Sequence, residues 1–108
     1  MEEKVLIVEG TSDRKRVKQV LQEQVHIICT NGTLSIEKLE DLIFPIEDED
    51  VYILVDEDES GEKLRRQLKR ELPNATHLYT EKEYRQIEDT PLDYLAQILS
   101  KFFQVKEI

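Results

Sequence analysis

Apolar positions along the chain form two patterns: short unbroken runs, and stripes in which apolar residues recur every three or four positions. Unbroken runs cover residues 5–8 and 51–55, residues 25–28 are interrupted only by His26, and a more mixed stretch covers 75–80. Runs that are rich in β-branched residues and apolar at every position are typical of strands buried on both faces, as in parallel sheets. We therefore predict four strands, most of them shielded on both sides.

Each run is followed by a helical pattern, which gives a βα unit repeated four times. The first helix is expected from Thr11 to about Glu23, the second from Ser35 and the third from Ser60, while Thr90-Pro91-Leu92-Asp93 has the form of a capping box that starts the fourth. The apolar stripe residues are Val17, Val20 and Leu21; Ile36, Leu39, Leu42 and Ile43; Leu64, Leu68 and Leu72; and Leu92, Leu95, Ala96, Leu99, Phe102 and Phe103. Residues 81–89 are polar and ambiguous, with a short extended piece expected at 85–88. This alternation predicts a single α/β domain over residues 1–108 with a mainly parallel sheet.

Ligands of open α/β sheets bind outside the carboxyl ends of the strands, so the residues that follow each run matter most. Gly10, Gly32 and Gly61 all come just after a predicted strand and should lie at this edge. Asn31-Gly32 is interpreted as a strand-to-helix loop, since no matching strand follows to form a hairpin. If the strand order is 2-1-3-4, Glu9 after the first strand faces Asp56 after the third.

Composition narrows the function classes. The 108 residues carry a formal net charge of -9, and residues 37–63 contain twelve acids but only two lysines. Such a chain is unsuited to electrostatic capture of nucleic acid over its whole surface, although a divalent cation could invert the sign of a local acidic focus. No apolar stretch is long enough to span a bilayer, and Met-Glu-Glu-Lys does not resemble a signal peptide. A single cysteine, Cys29, suggests a reducing cytoplasm.

The acids after the third run are candidates for a metal site. Asp56 and Asp58 are two residues apart, so an extended backbone points both carboxylates the same way, and Glu9 can add a third. Few carboxylates with no other ligand type suit Mg²⁺. The alternative is an acidic surface loop. An EF-hand is excluded because its twelfth position is Gln67 and a strand precedes the loop, and a receiver domain would need paired acids where Glu9-Gly10 stands.

These motifs together resemble the Toprim domain of topoisomerases, bacterial primases, old-family nucleases and recombination mediators. The resemblance covers about residues 4–100 and is closest to the nucleases that mature bacterial ribosomal RNA. The motifs that carry it are Val8-Glu9-Gly10-Thr11-Ser12-Asp13, Thr30-Asn31-Gly32, Asp56-x-Asp58-x-x-Gly61 and Gly61-Glu62-x-x-Arg65.

The resemblance implies a Rossmann-like, three-layer Toprim fold and chemistry on nucleic acid with Mg²⁺, or Mn²⁺ in its place. Asp56 and Asp58 would hold the metal, Glu9 would act as general acid/base or complete the metal site, and Asp13 would be a weaker member. The residues implied to hold flanking phosphates are Lys63, Arg65 and Arg66.

Two functions remain open at this point. One is a small phosphodiesterase, with RNA favoured over DNA. The other is a non-catalytic module that binds nucleic acid or a protein partner. The ribosomal-RNA nucleases continue into a C-terminal RNA-binding region, whereas this sequence ends at Ile108, so the resemblance alone identifies neither its substrate nor its activity. His26, His77 and Cys29 are interpreted as strand residues, since no metal-ligand spacing surrounds them.

Overall fold

The computed structural model describes residues 3–80 and 83–107, and its centre is a four-stranded parallel sheet in the order β2-β1-β3-β4. The strands are β1 (Lys4–Val8), β2 (His26–Cys29), β3 (Asp50–Leu54) and β4 (Thr76–Leu78). β1 pairs with β2 on one side and with β3 on the other, with Ile7 opposite Ile28 and Ile53. The predicted fold class and the strand order 2-1-3-4 are both confirmed.

Helices cover both faces of the sheet. α1 (Thr11–Val20) and α4 (Leu92–Ser100) cover one face, and α3 (Glu59–Glu71) covers the other together with the residues that follow the short helix α2 (Ile36–Lys38). α2 continues directly into a π-helical turn (Leu39–Ile43) and a 3-10 turn (Phe44–Ile46). No helix in the described ranges is both long and apolar enough to cross a membrane.

The alternation of side chains along β1 divides the core in two. Leu6 and Val8 pack towards α1 and α4, whereas Val5 and Ile7 pack towards α3, and all four are fully buried. This arrangement follows from the pleat, which points successive side chains to opposite faces. An uninterrupted apolar run was therefore the correct signal for a central strand.

The structure differs from the sequence prediction at three helices. α1 ends at Val20 instead of near residue 23, because the following residues turn extended and pair with the C-terminal tail: Gln22 N donates to Gln104 O and Lys106 N to Val20 O. Ile36 was expected on the buried face of its helix but is 77% exposed, since the segment changes from α-helical to π-helical geometry after one turn.

The capping box predicted at Thr90 is also absent. Pro91 occupies the N-cap position of α4, and the Thr90 hydroxyl donates to the Gln86 carbonyl oxygen instead. The residues just before it form a 3-10 turn (Ile87–Asp89), where an extended piece was predicted. Part of that polar stretch, residues 81–82, lies outside the described residues.

Candidate functional site at the carboxyl edge of the sheet

The acids singled out from the sequence gather at one edge of the sheet. Glu9 directly follows β1, and Asp56 and Asp58 follow β3, its neighbour. Asp13 approaches the same place from the first turn of α1 and is buried, with 6% of its surface exposed. Parallel pairing of β1 and β3 is the reason, because it brings the carboxyl ends of both strands to the same edge.

Each of these carboxylates is held by the protein through one oxygen. Asp58 Oδ1 accepts from Gly61 N at 2.8 Å and so caps α3, while Asp56 Oδ1 accepts from Ile87 N at 2.8 Å. Glu9 Oε2 accepts from the Ser60 hydroxyl at 3.0 Å, and Asp13 Oδ2 accepts from Gly10 N at 3.0 Å. Among the described residues none donates to the second oxygen of Glu9, and that atom, Oε1, is buried.

Four negative charges at this edge of the sheet would repel one another and would be only partly solvated. Burial raises the pKa of Asp13 to about 6, against the effect of its bond from Gly10, and the charges of Asp56 and Glu9 add to the rise. The pKa of Glu9 and that of Asp56 are also raised, mainly by burial and further by the Asp58 carboxylate. Partly desolvated like charges favour either proton uptake or a bound cation.

This repulsion predicts a stability difference that depends on pH. A carboxyl group whose pKa is raised on folding contributes stability at low pH, and that contribution is lost as pH rises from its unfolded pKa, 3.8 for Asp13, through its folded pKa, about 6. Asp13→Asn keeps an acceptor for Gly10 N and escapes the loss, so it should be about 3 kcal/mol more stable than the parent at pH 7 without metal.

Denaturant unfolding of both proteins from pH 4 to pH 7.5 measures this difference, which should shrink towards pH 4. His77 acts with the opposite sign, because burial and Arg65 lower its pKa to about 4 and its contribution is lost as pH falls from 6.5. It is present in both proteins and cancels in the comparison. A difference that stays constant across the pH range would contradict the proposed repulsion.

Gly61 sets the shape of the acidic turn. A Cβ atom built on Gly61 would lie 1.9 Å from the carbonyl oxygen of Asp56, so the first turn of α3 rests directly on the backbone of the turn. The Asn31-Gly32 loop has a different requirement: φ is 56° at Asn31 and 107° at Gly32, which are left-handed values. The predicted role of these residues as strand-to-helix turns matches their positions.

The donor set fits a magnesium ion, although the side chains do not form a closed cage. Within residues 3–80 and 83–107, no three His, Cys, Asp or Glu side chains converge closely enough to enclose an ion. Mg²⁺ commonly binds through one or two carboxylates, keeps several waters and takes the remaining ligands from a substrate phosphate. The buried Glu9 Oε1, to which none of the described residues donates, and the raised carboxyl pKa values are compatible with a ligand set of this kind.

The basic residues predicted to hold phosphates are divided by the structure. Lys63 and Arg66 are exposed on α3, but Arg65 is 1% exposed and its guanidinium is engaged inside the protein. Arg65 was expected to hold a flanking phosphate, and its burial leaves it inaccessible for that role. Its position between Leu64 and Leu68 on the apolar stripe of α3 is the signal that could have revealed this.

Several residues around the acids were not predicted. Ser60 and Ile87 hold Glu9 and Asp56, and Glu57 forms an ion pair with Arg65 at 2.9 Å. The contribution of Ile87 comes from the ambiguous polar stretch, where no periodic pattern marks it. His26 and Cys29 lie in β2 and His77 in β4, as expected.

Comparison with known proteins identifies relatives of this chain. The Toprim domain family matches residues 4–88. A solved structure described as a small TOPRIM domain protein from Bacillus stearothermophilus superposes with a TM-score of 0.90 and 50% identity, covering 98% of this chain and 91% of that one.

Sequence relatives point the same way. "Uncharacterized protein YusF" of Bacillus subtilis (strain 168) is 53% identical over 97 residues, which cover 90% of this chain and 66% of that protein. Ribonuclease M5 of Mycoplasma genitalium is 32% identical over 78 residues, or 71% of this chain and 43% of the enzyme. Ribonuclease M5 of Fusobacterium nucleatum is 31% identical over 75 residues, or 69% and 41%. The chain thus spans less than two thirds of each of these relatives.

Proposed function

Because the chain belongs to the Toprim domain family, we propose that it is a Mg²⁺-dependent phosphodiesterase acting on nucleic acid, with RNA favoured over DNA. The observation that carries this proposal is the buried Oε1 of Glu9, which has no hydrogen-bond partner within residues 3–80 and 83–107, beside two further acids whose pKa values are raised. Clustering partly buried carboxylates after two buried strands is electrostatically unfavourable, which is unexpected for a surface loop without a function. The likeness to two ribonucleases M5 supports RNA as the substrate class.

Each acid has a distinct role in this proposal. Asp56 and Asp58 each keep one oxygen on a backbone N–H, which fixes the carboxylate and leaves the other oxygen for the cation. Glu9 is the proton carrier: its pKa is raised by burial and by Asp56 and Asp58, towards the range useful near neutral pH. When bound, the metal would stabilise the negative charge that develops on a phosphodiester during cleavage.

A cleft beside the carboxyl edge offers positive charge for the nucleic-acid backbone. The cleft encloses about 500 Å³ and is lined by Thr33, Lys63, Arg66, Gln67 and Arg70. Gln67 ties its two walls together, since its side chain accepts from Leu34 N at 2.8 Å and donates to Leu34 O at 3.0 Å. In a protein of net charge -9, this local group of cations suits phosphates close to the acids.

Removing cations from the cleft should weaken binding in a salt-dependent way. Lys63→Ala and Arg66→Ala should each lower affinity for a single-stranded RNA and reduce the slope of log affinity against log salt by about 0.7. Lys15→Ala is the matched control, because Lys15 is exposed on α1, across the sheet from the cleft. Fluorescence anisotropy over a series of KCl concentrations gives both quantities. An equal loss in the Lys15 variant would mean that only overall charge matters.

The proposed activity is tested by incubating the protein with mixed cellular RNA in Mg²⁺, Mn²⁺ or EDTA. The proposal is supported if cleavage requires the metal and disappears when Glu9, Asp56 or Asp58 is replaced. If neither RNA nor DNA is cleaved under any of these conditions, the phosphodiesterase proposal fails.

Metal binding can be tested without any substrate. Mg²⁺ that binds only the folded state should stabilise it by about 2.7 kcal/mol at a hundredfold excess over Kd. Asp58→Asn keeps an N-cap acceptor for α3 but loses a charged ligand, so we expect metal-free stability within about 0.5 kcal/mol of the parent and a much smaller Mg²⁺ effect. Thermal melts in MgCl2, against NaCl of equal ionic strength, measure both. If the two salts act alike on the parent, the metal site is wrong.

One observation favours a second function, a non-catalytic module that binds nucleic acid or a protein. Both aspartates of the turn already have structural bonds, to Gly61 N and Ile87 N, so the acids could serve the fold alone. This reading predicts that Lys63→Ala and Arg66→Ala impair RNA binding while no acid substitution affects any RNA chemistry. If neither set of changes alters nucleic-acid behaviour, the partner is a protein.

A further inference from the structure

Arg65 places a positive charge inside the protein, against the acidic turn. It is 1% exposed, although α3 carries several cations that face solvent. A buried charge is costly unless it is paired and fully hydrogen-bonded, so its presence requires an explanation beyond packing.

The contacts of the guanidinium connect three separate parts of the chain. The two N–H groups of Nη2 are shared among three acceptors, the carbonyl oxygens of Val55 (3.1 Å) and Leu78 (2.7 Å) and Glu57 Oε1 (2.9 Å). Nη1 lies 3.1 Å from His77 Nδ1, and the group stacks 4.1 Å from the centre of the Tyr79 ring. Arg65 therefore bridges the carboxyl ends of β3 and β4 and the turn that holds the acids. The lowered pKa of His77 keeps its ring neutral, so Nδ1 can accept this bond.

Glu57 is the middle residue of Asp56-Glu57-Asp58, and its direction constrains its neighbours. In extended backbone, successive side chains point to opposite sides, and Asp58 is extended with φ -135° and ψ -179°. Arg65 draws the Glu57 carboxylate inward, while Asp56 and Asp58 are directed to Ile87 N and Gly61 N. The backbone N–H and carbonyl of Glu57 are also fixed, by Arg85.

We propose that Arg65 is a positioning residue: by holding Glu57 inward and the Val55 carbonyl in place, it aims Asp56 and Asp58 at the open edge of the sheet. This inference rests on the proposed function, in which those two acids hold the metal. Residues that orient metal ligands without touching the metal commonly change its affinity by about 10- to 100-fold when they are replaced.

The alternative is that Arg65 only fastens β4 to β3. The two roles differ in what happens to Asp56 and Asp58 when the Arg65–Glu57 pair is broken in a folded protein. The amide protons of Ile87 and Gly61 report this directly, because their acceptors are the side chains of Asp56 and Asp58. Reference amides at Leu72 and Thr30 donate to backbone carbonyls elsewhere in the fold.

Three variants separate the roles. Arg65→Lys keeps the charge but cannot serve all the acceptors, and Glu57→Ala removes the acceptor while leaving Arg65 with its two carbonyl oxygens. Glu57→Gln keeps an amide oxygen for Arg65 and is the conservative rescue. Glu57 is 25% exposed, so its replacement should leave a folded protein even if Arg65→Lys does not fold.

The first measurement is native-state amide hydrogen exchange without metal. If Arg65 is a positioning residue, amide exchange at Ile87 and Gly61 should accelerate at least about tenfold in Glu57→Ala, relative to exchange at Leu72 and Thr30. In Glu57→Gln the exchange rates should return towards those of the parent. A uniform change at all four amides, or none, would overturn the inference in favour of a purely structural Arg65.

The second measurement is Mg²⁺ affinity by calorimetry, in which Glu57→Ala should weaken binding about tenfold or more and Glu57→Gln much less. Unchanged affinity in Glu57→Ala contradicts the inference and leaves the proposed metal site intact. If the parent protein does not bind Mg²⁺, the proposed metal site is wrong, and so is the proposed effect of Arg65 on Mg²⁺ affinity. The hydrogen-exchange pattern then shows by itself whether Arg65 orders the turn.

Discussion

A Glu9→Gln variant should lose cleavage by a factor of about 10² to 10⁴ while binding nucleic acid as tightly as the parent. Glutamine has almost the same size as glutamate and can still accept the bond from Ser60, so the edge keeps its shape. What it loses is the ability to exchange a proton. The raised pKa of Glu9, caused by burial and by Asp56 and Asp58, is the physical reason to assign proton transfer to this residue.

Single-turnover cleavage and binding in Ca²⁺, measured on the same RNA, separate the two effects. Glu59→Gln is the matched control: it makes the same chemical change at an exposed residue at the start of α3 and should leave the rate within about threefold of the parent. Without metal, Glu9→Gln should also be slightly more stable, since one repelling charge is gone. If Glu9→Gln cleaves normally, the proton carrier is another residue.

The second large effect is expected at Gly61. Gly61→Ala adds a Cβ atom that would lie only 1.9 Å from the carbonyl oxygen of Asp56. Either the first turn of α3 or the acidic turn must therefore move. Overpacking against backbone, which has little room to yield, should cost about 3 kcal/mol of stability. Because Asp56 is the residue displaced, the response to Mg²⁺ should fall as well.

Gly10 provides the control for this substitution. A Cβ on Gly10 would meet only Asp13 Oδ2, at 3.6 Å, which is an ordinary contact, and its φ of -128° suits any residue. Gly10→Ala should therefore change the free energy of unfolding by less than about 1 kcal/mol. Chemical denaturation of the two variants in parallel checks the difference, and equal losses would show that the close approach at Gly61 can relax.

The sequence was sufficient to predict the sheet because its signal is strong and local. Residues 5–8 and 51–55 are apolar at every position, as expected of strands covered on both faces, and the βα alternation indicates a parallel sheet, for which the order 2-1-3-4 was assumed. The order 2-1-3-4 then placed Glu9 and Asp56 at one edge. The structure agrees on the position of these acids, while their ligation of a metal remains a prediction.

The predictions that failed were decided by contacts with residues outside the helix concerned. Arg65 was expected to hold a phosphate beside Lys63 and Arg66, but it is buried, with the carbonyl oxygens of Val55 and Leu78 and the Glu57 carboxylate as partners. Thr90 has the sequence of a cap, yet the Gln86 carbonyl competes for its hydroxyl. Periodicity describes one element at a time and contains no information about such partners.

The position of β1 has a consequence for how the protein folds. It is the first strand in the chain, yet it lies inside the sheet. One of its two neighbours is β3, and their pairing places Lys4 opposite Asp50. Parallel pairing across such a sequence separation must close a long loop before any contact repays the entropy, so folding should be slow for a domain of this size. During synthesis β1 has to wait for β3 to emerge. Glu9 and Asp56 therefore meet late, so relieving their repulsion should mainly slow unfolding, with less effect on the refolding rate.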